Sequence, residues 1–514
     1  MSHVPPRAGA RFTPIKRHLV TAVAAVLAGA SALTGCSSSS SGSGASSSDG
    51  PYVIGQTSIA SSLDPFKSSW ALTADGVAET VFMQDAQGNE TSRFVENVAQ
   101  TGDLDWTMDV KSGVEFSDGT AVDANALAAS LNAIQDQNSL SNASAGRIAF
   151  AAAGERLTAR TERPTRVLSS ILGEWTNVVF KSDESGNYIY TGPYTVNSFD
   201  PKASLSLSPN EHYPDAGRRR DVTVKVFSDV DSMKLAIESR SIDMAFTITP
   251  SVADQLRSAS GVQVKTIEAG YQYFGRPNLT EGVLTDATVR KALDLGLDRN
   301  DYVEALEGGR LATGAFSHIY SFAGTEDLTV DGAQAAALLD QAGWTAGSDG
   351  MRSKDGQPLT VRLVTYASRP DLSTMMQIMV SQLKELGVAT TTSVVDSVSN
   401  IEPGDYDMVL WAQHTAPTGE PSYFLNQFFR TGASNNVTGY SSGTTDALLD
   451  ELGQLAPGGE RDAKAVQIQH QLREDEAVLF AVDPQWHIAV TDRLAGYQPY
   501  CGDYYVVNPE LGLG

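Results

Sequence analysis

The chain has 514 residues, 41% of them hydrophobic, and a net charge of −24 at pH 7 from 37 basic and 61 acidic residues. This balance argues strongly against nucleic acid or an anionic membrane surface as a partner, because such partners are bound by basic patches. With only two cysteines, the chain depends on burial of apolar surface rather than on disulfides, and it is long enough for two or three domains.

The first 35 residues have the pattern of an export signal. Four basic residues precede an uncharged apolar run, 19–33, which is shorter than the roughly 20 residues that span a bilayer. The sequence LTGC at 33–36 resembles the bacterial lipobox, in which the cysteine receives a diacylglyceryl group and becomes the new N-terminus. We expect residues 1–35 to be removed and Cys36 to be lipidated. The alternative is an ordinary export signal with an incidental cysteine.

Residues 36–50 are mostly Ser and Gly, a composition that cannot bury a core and is typical of a flexible tether. The globular body begins at 51. We therefore expect an extracytoplasmic protein, anchored to the cell membrane through Cys36.

From about residue 80, short strand-like and helix-like runs alternate, which is typical of an α/β protein. The stretch 107–110 predicts a strand, followed by a turn at 112–113, a second short strand and a turn at 118–119. Asp123 is a candidate N-cap for the helix after it, whose apolar residues recur at helical spacing.

Further along, the pattern predicts a strand over 222–229, then a helix and a strand within 231–246. Another helix begins at about Ala287, and one more ends at Gly343. The last predicted unit has strands at 359–366 and 406–411, with a helix at 373–388 between them.

The sequence lacks several of the common catalytic motifs. H-E-x-x-H, the phosphate-binding P-loop and G-x-G-x-x-G are all absent, and the five histidines of the body are scattered without ligand-like pairing. We expect no enzymatic activity and no metal site made by the protein alone. A surface-tethered enzyme and a signalling lipoprotein remain as remote alternatives.

Several further blocks occur in order along the whole body. The first is WTMDVKSGVEFSDGTAVDANALAASL at 106–131. The others are TGPY at 191–194 with the following 207–229, DATVRKALDLGLDRNDYVEALEGGRLATG at 286–314, AAALLDQAGW at 335–344, and the late region YDMVLW…EPSYFLNQFF…GYSSGTTDALL within 406–449. Together these blocks resemble the peptide/nickel class, family 5, of solute-binding proteins that serve ABC importers.

This resemblance implies an α/β, two-lobed periplasmic-binding-protein-like clamp of class II, cluster C type, with an extra third domain. By analogy, the predicted domains are lobe I at 51–80, 190–268 and 487–514, the extra domain at 81–189, and lobe II at 269–486. The ligand would bind in the interlobe cleft of a monomer, and the protein would deliver it to permease and ATPase subunits.

Peptide-binding members of the family typically hold the ligand's ammonium with an Asp soon after the Trp of the late block. Here Trp411 is followed by no acid until Glu420, and burying an unpaired ammonium is costly. The sequence therefore favours a complex of nickel or another metal with an organic chelator of the histidine or metallophore type, and a di- or oligopeptide is the alternative. The protein itself is expected to need no cofactor.

A carboxylate-rich chelate needs guanidinium groups and aromatic walls, because arginine binds carboxylates in a bidentate manner and keeps its charge when enclosed. His414 is a further candidate, for an open coordination position of the metal. The candidate ligand-binding residues are Trp70, Arg147, Trp175, Arg369, Trp411, His414, Tyr423, Arg430 and Asn435.

Overall fold

The computed structural model describes residues 50–85, 88–325, 327–396, 398–500 and 502–513. The predicted signal, the lipidation site Cys36 and the second cysteine, Cys501, lie outside these residues. Among the helices described, none combines the length and the apolar character that a membrane span requires.

A seven-stranded mixed sheet is built around the buried strand Tyr52–Gln56, which pairs in parallel with a neighbour on each side. One parallel neighbour leads to the other through the helix Val230–Glu238, so the unit is a strand–helix–strand crossover of the kind that parallel pairing requires. The strands in order across the sheet are Tyr194–Asp200, Ser204–Pro209, Val222–Val226, Tyr52–Gln56, Met244–Ile248, Gln485–Thr491 and Val262–Glu268.

A six-stranded sheet forms the second large layer. Its parallel part contains the strand Thr360–Tyr366, the helix Pro370–Glu385 and the strand Ala389–Val395. The sequence pattern predicts the first strand and a helix at 373–388, but it does not predict the strand Ala389–Val395. The strands in order across this sheet are Arg310–Leu311, Leu479–Asp483, Tyr271–Pro277, Met408–His414, Thr360–Tyr366 and Ala389–Val395.

A four-stranded antiparallel sheet lies in the region predicted as the extra domain. Its strands in order are Val95–Gln100, Asp105–Val110, Arg156–Thr161 and Ile148–Ala153. Smaller sheets pair Met83–Gln84 with Glu90–Thr91, Phe180–Ser182 with Tyr188–Tyr190, and Arg352–Lys354 with both Thr345–Ala346 and Gln357–Pro358.

Helices cover the faces of the sheets. The α-helices of the described residues are Pro65–Ala74, Ala124–Gln137, Leu168–Leu172, Val230–Glu238, Pro250–Arg257, Ala287–Gly296, Asn300–Ala305, Gly332–Gln341, Pro370–Glu385, Ser422–Phe429, Gly443–Gln454 and Gly459–Glu474. Short 3₁₀ turns occupy Ser139–Asn142, Ala216–Arg218, Val283–Thr285, Val398–Asn400, Pro403–Asp405 and Asp492–Leu494.

Local sequence signals explain several helix ends. The Asp123 carboxylate accepts a hydrogen bond from the Ala126 amide and so caps the helix Ala124–Gln137, as predicted. Gly343 follows the helix Gly332–Gln341 with φ +87°, a left-handed conformation that glycine adopts without strain.

One local prediction was wrong. The second short strand predicted after the turn at 112–113 is reduced to one antiparallel bridge, Glu115 with Ala121, because the turn at 118–119 follows too closely for a ladder to form. The helix predicted from about Ala287 is confirmed; it ends at Gly296, and a second helix starts at Asn300.

The chain crosses between the two large sheets at two adjacent places. Val262–Glu268 continues through residues 269–270 into Tyr271–Pro277, and Leu479–Asp483 continues through Pro484 into the strand that starts at Gln485. The crossings touch, since the Ala269 amide donates to the Pro484 carbonyl at 3.2 Å. The last crossing lies at Pro484, whereas the resemblance implied a return to lobe I at 487, and the domain bounds stay a prediction.

Candidate ligand-binding cleft

A cavity of about 580 Å³ lies between the two large sheets, beside the crossing segments. The seven-stranded side contributes the loop 56–61, helix Pro65–Ala74 and residues 246–250, and the six-stranded side contributes the turn 368–371 and strand residues 411–413. The aromatic residues that line it are Trp70, Trp175, Phe246, Tyr271, Tyr273, Tyr366, Trp411, Trp486 and Tyr504. This size and the presence of several aromatic side chains in the lining are typical of a small-molecule site.

Arg369 is the basic residue at the centre of this cavity. It lies between the strand Thr360–Tyr366 and the helix Pro370–Glu385, whose first residue is a proline with the fixed φ that suits a helix start. The guanidinium lies 5.2 Å from the ring centre of Tyr271 and 5.0 Å from that of Trp486. Such cation–π contacts stabilise the charge inside an aromatic wall.

Asp503 neutralises Arg369. Nη2 of Arg369 donates to Oδ2 of Asp503 at 2.5 Å, and the Tyr271 hydroxyl donates to Oδ1 at 2.6 Å. Burial by itself lowers the pKa of a guanidinium, but the Asp503 carboxylate outweighs this and raises the pKa of Arg369 above its ordinary value. Arg369 therefore stays charged, and its Nε and Nη1 donate no hydrogen bond to the described part of the chain.

A second hydrogen-bonded carboxyl group faces the same cavity. The Trp486 indole donates to the Tyr273 hydroxyl at 3.2 Å, and that hydroxyl donates to Oδ2 of Asp371 at 2.8 Å. Burial raises the pKa of Asp371, although the hydrogen bond from Tyr273 acts in the opposite direction. Asp371 also lies in the first turn of its helix, where the helix dipole favours a negative charge.

Asp75 is the third carboxyl group of the lining, at the end of helix Pro65–Ala74. Gln56 Nε2 donates to its Oδ1 at 3.2 Å. Burial raises the pKa of Asp75 to about 7, even though the hydrogen bond from Gln56 lowers it. Part of the Asp75 population is therefore protonated at neutral pH.

The charged residues of the lining do not make the cavity cationic. The basic ones are Arg369 and Lys67, and Lys67 is 73% exposed at the rim, where it pairs with Asp64. The acidic ones are Asp75, Asp371 and Asp503. Arg369 is therefore the buried cation of a cavity that otherwise presents carboxyl groups and aromatic rings.

The family model for bacterial extracellular solute-binding proteins, family 5, matches residues 93–436, which is more than half of the chain. The chain belongs to this family. The resemblance found in the sequence motifs is thereby confirmed, and so is the two-lobed α/β clamp. The family 5 protein is a substrate-binding protein of an ABC importer, and proteins of this family bind solutes rather than catalyse reactions.

Relatives of this family 5 protein differ in their ligands. The nickel-binding protein NikA of Staphylococcus aureus is 24% identical over 447 residues, covering 85% of this chain and 87% of that protein. The crystal structure of S. aureus NikA with Ni(L-His)2 has a TM-score of 0.80 at 20% identity, over 89% of this chain and 98% of that one. The oligopeptide-binding protein AppA of Bacillus subtilis, solved with a nonapeptide, has a TM-score of 0.78 at 18% identity, over 88% and 97%. These structures establish the fold and leave the substrate open.

Five of the predicted binding residues line the cavity of the family 5 protein. They are Trp70, Trp175, Arg369, Trp411 and Asn435. The structure brings them together from three distant parts of the chain, and their contact with a ligand stays a prediction.

Two further candidates lie behind the lining rather than in it. Tyr423 is buried and accepts a hydrogen bond from the Trp175 indole, so it positions a wall residue. His414 is buried with ring centres 5.3 Å from Tyr271 and 5.0 Å from Tyr504. Burial lowers the pKa of His414 to about 4, so its imidazole is neutral at physiological pH.

Arg147 and Arg430 point to other partners, outside the cavity lining. Arg147 pairs with Asp136 at 2.5 Å on the surface of the extra domain region. Arg430 pairs with Asp450 at 2.9 Å and donates from Nε to Asn426 at 2.8 Å. Of the three candidate arginines, only Arg369 reaches the cavity.

The described residues contain no group of three or more His, Cys, Asp or Glu side chains that is arranged to hold a metal ion. His414, the predicted metal contact, does not line the cavity.

Sequence analysis missed the acidic residues of the lining. Asp371 lies two residues after Arg369 in SRPDL and could have been found from that proximity alone. Asp503 lies in a segment, CGDYYVVNPE, without helical or strand periodicity, so no local pattern indicated it. The sequence argument against peptides considered only acids that follow Trp411, whereas the cavity takes its acids from other segments.

Proposed function

We propose that this protein is a lipid-anchored, extracytoplasmic receptor that captures a compact, overall neutral complex of nickel or a similar metal with histidine-type ligands and delivers it to a permease. The observation that carries the proposal is a single buried guanidinium, Arg369, in a small aromatic cavity that contains no cluster of protein metal ligands among the described residues.

The size of the cavity favours a small ligand. Its volume of about 580 Å³ lies within the range of roughly 300–1,000 Å³ that is usual for small-molecule sites. Flat imidazole rings of a histidine complex fit between aromatic walls such as Trp70 and Trp411. One carboxylate of such a complex would accept hydrogen bonds from the free donors of Arg369.

The charge of the cavity favours a neutral complex over a chelate with several free carboxylates. A polyanionic chelate would meet Asp371 and Asp503 as well as Arg369, and like charges in a partly dry site repel one another strongly. A bis-histidine complex of a divalent metal is neutral and avoids this repulsion. The S. aureus relative crystallised with Ni(L-His)2 supports the same ligand class.

A short peptide is the second candidate, and a specific observation favours it. Asp371 and Asp503 both line the cavity, so a peptide ammonium would find a carboxylate there, and Arg369 would take the terminal carboxylate. The B. subtilis relative solved with a nonapeptide supports this ligand class.

Titration calorimetry on the full chain in detergent separates the candidates. The injected solutions are nickel alone, nickel with two equivalents of L-histidine, and di- and tripeptides in a buffer that contains no metal. We expect tight binding of nickel with histidine and weak binding of nickel alone. Tight binding of metal-free peptides together with no binding of the nickel–histidine complex would reject the first candidate in favour of the second.

A further inference from the structure

Asp503 occupies an unusual position for a counter-ion of a binding-site arginine. It lies on a segment, residues 502–508, that lacks regular secondary structure, yet its side chain is only 8% exposed and faces the cavity. Its two oxygens accept separate hydrogen bonds, one from Arg369 at 2.5 Å and one from the Tyr271 hydroxyl at 2.6 Å.

The segment 502–508, which we call the Asp503 segment, is held firmly in place. The Val507 amide donates to the Ala74 carbonyl at 2.8 Å, and the Tyr497 hydroxyl donates to the Val506 carbonyl at 3.0 Å. Gly502 lies so close to His414 that a Cβ at this position would approach the imidazole to 2.6 Å. Asp503 is therefore presented by a packed backbone rather than by a freely moving tail.

We propose that Asp503 is a specificity-determining residue that selects ligands carrying an amino group next to a carboxylate, an inference that rests on the proposed function. The carboxylate of such a head group accepts a hydrogen bond from one of the remaining donors of Arg369, at Nε or at Nη1. The amino N–H groups, whether of a free ammonium or of a metal-bound amine, donate to the remaining lone pairs of Asp503.

The same residue disfavours simple anions. A carboxylate ligand without an amino group competes with Asp503 for Arg369 and gives Asp503 no donor in return. A buried carboxylate that loses its cation is strongly destabilised. An amino-acid head group satisfies both residues at once, because its donor and its acceptor lie one carbon apart.

The test compares the full-length protein in detergent with Asp503→Asn and with a matched control, Asp407→Asn. Asp407 is also a buried carboxylate paired with an arginine, Arg362 at 3.0 Å, but it lies outside the cavity lining. Two pairs of ligands, one with metal and one without, each compare a ligand that has the amino group with one that lacks it. One pair is nickel with L-histidine and nickel with imidazolepropionate, and the other is metal-free L-phenylalanine and its des-amino counterpart, 3-phenylpropionate.

Calorimetry should show that Asp503→Asn lowers the affinity for the ligand that carries the amino group by about tenfold to a hundredfold. This is the range expected for a hydrogen bond between charged groups. The des-amino member should bind as well as before or more tightly, because Arg369 is then released. Asp407→Asn should leave the ratio of the two affinities unchanged. A loss of affinity for the amino-bearing ligand alone distinguishes a change of specificity from a general loss of folding. Thermal unfolding of each variant measures such a loss of folding directly.

Three results would overturn the inference. Equal weakening of both members of a pair would show that Asp503 only supports the fold, and unchanged affinities for both members would show that it does not contact the amino group. In both cases the unmodified protein still binds, so the proposed function stands. Failure of the unmodified protein to bind any of the four ligands would instead reject the proposed function, and the inference with it.

Discussion

Asp75 should make the stability of the protein depend on pH in a direction opposite to that of an ordinary surface carboxylate. Its ordinary pKa is 3.8, and burial in the folded protein raises the pKa to about 7. Between pH 4 and pH 7 the folded protein therefore keeps a proton that the unfolded chain has lost. Stability from this group is fully present below pH 4 and is lost as the pH rises through 7.

The magnitude follows from the two pKa values. They differ by about 3, and each unit corresponds to 1.36 kcal/mol, so the loss amounts to at most about 4 kcal/mol at pH 8. The Asp75→Asn variant is neutral at every pH, and its side-chain oxygen can still accept the hydrogen bond from Gln56. We expect it to match the parent near pH 4 and to exceed its free energy of unfolding increasingly up to pH 8.

Denaturant unfolding of the full chain, followed by circular dichroism at pH 4, 5, 6, 7 and 8, measures this difference. The control is Asp103→Asn, at an exposed loop position, for which the difference from the parent should stay flat. Parallel pH profiles for the parent and Asp75→Asn, with a constant offset or none, would refute the assignment of a protonated, buried Asp75.

Two further predictions concern binding and anchoring. Arg369→Ala should weaken binding of the nickel–histidine complex by about tenfold to a hundredfold, and Arg369→Lys should recover only part, because lysine lacks the planar fork. Arg430→Ala, the control arginine outside the lining, should bind normally in the same calorimetric titration, and an equal loss in both variants would contradict the assignment. Cys36→Ala should move the protein from the membrane fraction to the soluble fraction on centrifugation, because the diacylglyceryl group on Cys36 is the proposed anchor. A variant that still pellets with membranes would rule that anchor out.

The sequence predicted those parts of the fold that depend on neighbours in the chain. Asp123 caps its helix through an amide three residues away, so this signal is local, whereas the helix predicted at 373–388 begins three residues earlier, at Pro370. The family motifs also predicted the two-lobed clamp. Domain bounds depend on where the chain crosses between sheets, and the Pro484 crossing lies in an uninterrupted β-rich stretch that offers no such signal.

The site was harder to predict because a charged side chain finds its partner through the fold. Arg147, Arg369 and Arg430 all follow or precede a regular element, and each is a plausible anchor in the sequence alone. In the structure Arg430 forms an ion pair with Asp450 on the next helix, whereas Arg369 forms one with Asp503, 134 residues away. Only the second pairing faces a cavity, and no spacing rule distinguishes the two.

The pairing of Arg369 with Asp503 also connects ligand choice to lobe closure. Arg369 belongs to the six-stranded side, whereas the Asp503 segment is tied to the seven-stranded side through Val507 and Ala74, so the ion pair joins the two walls of the cavity. A ligand shifts a conformational equilibrium only by the difference in its affinity for the two states. An amino-acid head group that engages both residues keeps the walls joined and adds contacts of its own, whereas an anion that engages Arg369 alone breaks the connection. We therefore expect the same two residues to decide which ligands are bound and which ones close the clamp.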